Sequence, residues 1–127
     1  MGINVYLKWD GQSEAERRAQ YTGFSTVHGH VGYLREAYHG GPYATKVLIP
    51  EGWRPADLDE DGWASVPAST LRVRLPAVIA VAKERYAKIY DVALTDDAEQ
   101  LKAYRDFVEL YERLESEGKH PRIYVSA

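Results

Sequence analysis

The chain has 127 residues, of which 45% are hydrophobic and 28% charged, with a formal net charge of −3 and no cysteine. That length and balance suit a single globular domain, residues 1–127, able to bury a core of its own. The missing cysteine excludes disulfides and thiolate chemistry, the negative balance argues against nonspecific nucleic-acid binding, and no apolar run nears the roughly 20 residues of a membrane span.

The first residues, Met1 to Tyr6, do not read as a signal peptide, since no charged stretch precedes an apolar one. Residues 3–9 alternate, with Ile3, Val5, Leu7 and Trp9 on one face and Asn4, Tyr6 and Lys8 on the other, which is the pattern of a strand with one buried face. Asp10-Gly11 ends it. Ser13 and Glu16 stand at capping-box spacing, so a short helix is expected over 14–21.

Residues 24–45 are punctuated by Gly29, Gly32, Gly40 and Gly41. Val31, Leu34 and Ala37 or Tyr38 match a helical face, so two turns of helix are expected over 31–38. The β-branched run at 45–49 is expected to be a second strand, stopped by Pro50, and 51–67 a long loop. Residues 68–90 repeat apolar residues at helical spacing, with a kink or break expected at Pro76. Residues 96–117 do the same, with Asp96 and Glu99 read as a capping box and Gly118 as the stop. The short link between them makes the two helices antiparallel. Five basic residues against one acidic in the first helix, and eight acidic against three basic in the second, favour that pairing. Residues 121–126 close the chain as a final strand.

The expected fold is therefore α+β: a small three-stranded sheet (3–9, 45–49, 121–126) packed against a long antiparallel helical hairpin, with two short helices in the N-terminal half. The terminal strands are expected to be neighbours, because chain ends tend to lie close together. Leu7, Leu75, Val78, Leu101 and Val108 are expected in the core. Tyr6, Lys8 and Tyr124 are expected on the far face of the sheet, covered by the 24–45 segment or by a second subunit.

Two patterns suggest ligands. Asp57, Asp59 and Asp61, followed by Gly62, match the opening of a calcium loop, but Ala68 stands where the bidentate glutamate belongs, so a surface turn without a cation is expected. The second pattern gathers His28, His30, Tyr33, Arg35, Glu36, Tyr38, His39 and Tyr43 in one glycine-rich stretch ending at Thr45. A helix starting near Val31 would point backbone donors at 28–30 and favour an anion there. His28, His30, Glu36 and His39 are also acid/base or metal-ligand types, although no zinc spacing is met and no cofactor is implied.

The expected function is that of a cytoplasmic accessory or regulatory domain binding a protein partner or a small anionic ligand through 24–45, with homo-oligomerisation left open. The alternative is a small enzyme or metal-binding protein built on the three histidines and Glu36. On the first reading, His30→Ala and Glu36→Ala leave stability within about 1 kcal/mol.

Overall fold

The computed structural model describes residues 2–21, 29–37, 40–53 and 62–126. The calcium-like residues Asp57, Asp59 and Asp61, together with His28, Tyr38 and His39, lie outside the described residues.

Strand β1 (Gly2–Lys8) is central in a three-stranded antiparallel sheet of order β2-β1-β3, where β2 is Tyr33–Ala37 and β3 is Arg122–Ser126. The terminal strands are thus neighbours, as expected. In register, Val5 faces Leu34 on one side and Val125 on the other, and Ile3 faces Glu36. The inner face carries Ile3, Val5, Leu7, Leu34 and Ile123, all buried.

Two expected elements exchange type. Residues 33–37 form strand β2 rather than a helix, preceded by a 3-10 turn at Gly29–Val31. Residues 44–48 form helix α2 (Ala44–Leu48) rather than a strand. A five-residue stretch, apolar or β-branched but for Lys46, carries too few periods to separate helix from strand. In β2 the alternation is hidden because the inward residue after Leu34 is a charged one, Glu36.

Helix α1 (Glu14–Tyr21) starts at the expected capping box. The Ser13 N–H donates to Glu16 Oε1 at 2.9 Å and the Glu16 N–H to Ser13 Oγ at 3.0 Å. Its one buried residue, Gln20, extends the sheet with a side chain. The Leu7 N–H donates to Gln20 Oε1 at 2.9 Å, and Gln20 Nε2 donates to the Leu7 carbonyl at 2.8 Å. The amide takes the place β2 would fill beyond Tyr33, where the chain turns at Gly32 with φ +89°. The Leu7 carbonyl also accepts from Gln12 Nε2 at 3.3 Å, so loss of Gln20 strands mainly the Leu7 N–H. Gln20→Ala is expected to lower the unfolding free energy by roughly 1–3 kcal/mol, the cost of one buried unpaired donor, read as a drop in urea midpoint at unchanged slope.

Helices α3 (Ala68–Tyr90) and α4 (Glu99–Ser116) form the hairpin that covers the inner face. Helix α3 runs through Pro76 as one element. Helix α4 begins three residues later than expected and without a side-chain cap. Asp96 instead pairs with Lys83 across the link. Glu115 Oε2 accepts from the first amide of α3, Ala68 N–H, at 2.8 Å, and Arg72 grips Glu112 with both Nε and Nη2. These contacts join the start of α3 to the end of α4 and fix the antiparallel sense. All five residues expected in the core are buried. No helix among the described residues is long and apolar enough to cross a membrane.

Candidate functional site

The segment expected to form one site is split by the sheet. Of its described members, His30, Tyr33, Arg35, Glu36 and Tyr43, neither Tyr33 nor Arg35 shares a sheet face with Glu36, and His30 sits on the turn before β2.

Glu36 points inward and lies 3% exposed. Its Oε1 accepts from the Thr45 N–H at 2.9 Å and the Thr45 hydroxyl at 2.5 Å; its Oε2 accepts from the Ala44 N–H at 3.0 Å and the Tyr104 hydroxyl at 3.0 Å. A carboxylate from β2 thus caps α2, whose own preceding residue, Tyr43, provides no side-chain cap. Arg85 of α3, equally buried, brings Nε to 3.8 Å from Glu36 Oε2. Its remaining donors go to the carbonyls of Ala37, Gly40 at 2.8 Å and Pro42 at 3.3 Å, and its guanidinium lies 4.9 Å from the Tyr43 ring. Burial first, and the adjacent Glu36 carboxylate second, hold the Tyr104 phenol well above its ordinary pKa, so it stays a donor. Both Glu36 oxygens are therefore occupied by protein donors, which corrects its expected place among solvent-facing ligand residues.

His30 is exposed on the 3-10 turn, beside a shallow, charged depression of about 560 Å³ shared with Lys102, Asp106, Glu109 and Arg113 of α4. The helix expected to start near Val31 and present an anion site at 28–30 is absent: a three-residue turn leads straight into β2. Among the described residues no group of three or more His, Asp or Glu is placed to hold a metal ion.

Tyr33 and Arg35 point to the outer face of the sheet, where they meet residues of all three strands. Tyr6 lies opposite Tyr33 on one side and Tyr124 on the other, so three tyrosines cross the sheet in one row. The rings of Tyr6 and Tyr33 are 5.5 Å apart, and the Tyr33 hydroxyl donates to Asn4 Oδ1 at 2.7 Å. Tyr21 of α1 stacks on the central ring, Tyr6, at 4.7 Å. At the Tyr124 end, Trp63 packs on Tyr124 at 5.3 Å, and the Lys8 ammonium sits 4.4 Å over the Trp63 ring. Tyr33 and Tyr6 are buried, whereas Tyr21 and Tyr124 are exposed. Burial raises the phenol pKa of Tyr6 and of Tyr33, with Tyr33 adding to the rise of Tyr6, so both remain neutral donors.

The outward positions of the paired strands include Lys8, Arg35 and Arg122 and no acidic residue, in a chain whose net charge is −3. Arg122 is bonded to Asp10 at 2.9 Å. Alternation placed Tyr6, Lys8 and Tyr124 here from sequence; Tyr21 and Trp63 carried no such signal. Trp63 arrives because Ala64 pairs with Ile123 through N–H···O bonds of 2.7 and 2.8 Å, a contact between segments far apart in the chain. This surface can stack, donate phenolic hydrogen bonds and attract negative charge.

Compared with protein-family models, with curated proteins and with solved structures, the chain matches none.

Proposed function

We propose that this chain is a non-catalytic accessory domain of the cytoplasm that binds an acidic segment of a protein partner on the outer face of its sheet. The observation that carries this reading is the row Tyr33–Tyr6–Tyr124 bordered by Lys8, Arg35 and Arg122, with no carboxylate among the outward strand positions. Aromatic rings give contact area at low entropic cost, and cations on the outer face of a net acidic protein favour a partner of opposite sign. Tyr33 and Arg35 keep part of the 24–45 segment in the function; His30 and Glu36 fall outside it.

The test is affinity capture with wild-type protein, with Tyr124→Ser and with the charge reversal Arg35→Glu. A partner captured by the wild type and lost with both variants, while their melting curves stay within a few degrees of it, is the expected result. Retention of every captured partner by both variants overturns the reading. The bound segment is expected to be acidic, and its binding to weaken as salt rises from about 50 mM to 500 mM.

A further inference from the structure

Helix α1 brings almost nothing to the core. Of its eight residues only Gln20 is buried, and its two alanines, Ala15 and Ala19, are exposed and half-buried. Helix α2, at five residues, buries Ala44, Thr45 and Leu48. Among the described residues, the side-chain bonds and ring contacts that tie α1 to the sheet sit in its last turn. The Gln20 amide holds both backbone groups of Leu7, and the Tyr21 ring stacks on Tyr6 at 4.7 Å with the planes 21° apart. The first turn is closed on itself by Ser13 and Glu16, and Arg18 bonds back to Glu14. The Asp10-Gly11 turn that leads into the helix is exposed. An isolated helix shorter than about 12–15 residues is marginal in water, so α1 persists only while docked. Two neutral hydrogen bonds and one ring pair are a small hold beside the apolar packing that fixes α3 and α4.

What lies beneath gives that small hold a use. Tyr6 is the central ring of the outer row, and with Tyr21 on it the residue is 7% exposed, while Tyr21 itself is 43% exposed. We infer that α1 is a strap across the outer sheet face, which opens as one unit while the rest of the fold stays intact and so uncovers the Tyr6 ring for a partner. Its use rests on the partner reading above: an acidic segment that carries an aromatic side chain takes the place of Tyr21 on Tyr6. The sheet is built to survive the opening. The Leu7 carbonyl keeps Gln12 Nε2 as a donor, so only the Leu7 N–H passes to water. Tyr33, bonded to Asn4, backs the Tyr6 ring at 5.5 Å and holds it in place.

Amide hydrogen exchange of the full chain tests the strap. The Leu7 N–H points at Gln20, whereas the Val5 N–H, two residues back on the same edge of β1, faces Leu34 of β2. After correction for intrinsic rates, Leu7 is expected to exchange at least about tenfold faster than Val5, together with the last turn of α1. Its rate is also expected to depend less on urea, because a local opening exposes little surface. Equal protection at the two amides, with one shared urea slope, overturns the inference. Access to Tyr6 is read with a random glutamate–tyrosine copolymer as the probe and polyglutamate as its control. Tyr21→Ala is expected to bind the copolymer about two- to tenfold more tightly than the wild type, the range of one ring pair, with no such gain for polyglutamate. Copolymer binding left unchanged or weakened by Tyr21→Ala overturns the role of α1 as a cover. A copolymer that neither chain binds counts against the outer-face reading itself, and the exchange rates still decide whether α1 opens.

Discussion

Glu36→Ala is expected to cost about 3–5 kcal/mol, the range for removing one partner of a buried ion pair. The loss has three parts in one place. The Ala44 and Thr45 amides at the start of α2 lose their acceptor, the Tyr104 hydroxyl loses its partner, and Arg85 is left 3% exposed without a counter-charge. Against a total stability of about 5–15 kcal/mol this is a large share. Arg85→Ala is expected to cost a similar amount, and the double variant clearly less than the sum, since each single change damages the same network. Urea unfolding of the three variants checks this. Single variants within 1 kcal/mol of wild type would show that the network contributes little. The sequence-based expectation that Glu36→Ala is mild is thereby reversed, while His30→Ala, at an exposed position, is still expected to stay within about 0.5 kcal/mol.

Gly29→Ala is the second change with a large expected effect. A Cβ at residue 29 would stand 1.8 Å from the carbonyl oxygen of Ala103 and 2.8 Å from its Cα. The obstruction is α4 backbone, which cannot rotate aside as a side chain can. Either the 3-10 turn leaves α4 or the helix moves off the core behind it, where Leu101, Tyr104 and Phe107 are buried. A cost of about 3 kcal/mol is expected, at the upper end for overpacking, which for a domain this size lowers Tm by roughly 10 °C. A thermal melt decides it; a shift under 2 °C would mean that the turn does not rest on α4.

How much of this was legible in the sequence depends on whether a residue's environment is set by its neighbours in the chain. The alternation over 3–9 and the stripes of the two long helices each span several periods, and both were read correctly along with the cores they imply. The capping box at Ser13 and Glu16 was legible because its two hydrogen bonds join residues three apart. Asp96 and Glu99 share that spacing, yet Lys83 draws Asp96 away, a competition no local pattern records. Around Glu36 the failure has one cause. A charged residue on the core side erased the period-2 signal of β2, and its carboxylate, reaching across the fold, gave α2 the cap its own sequence lacks. The same residue then read as a surface ligand because buried carboxylates are rare without a partner, and the partners, Arg85 and Tyr104, stand 49 and 68 positions away. The outer face was half legible. Its strand tyrosines followed from alternation, but Trp63 and Tyr21 came from segments whose docking the sequence does not announce.

The placement of β1 has a consequence for how the chain is made. Its pairing with β3 joins Asn4 to Ser126 and Lys8 to Arg122, across nearly the whole chain. A ribosome releases residues 2–8 before the hairpin and 122–126 after it, so the central strand waits with one edge bare while the hairpin emerges. During that interval an apolar strand edge is open to pairing with other nascent chains. The long loop that must close also slows sheet completion relative to a fold of local contacts. The sheet is therefore completed only once residues 122–126 have emerged, and the hairpin, whose contacts are nearer in sequence, is the part able to gather first.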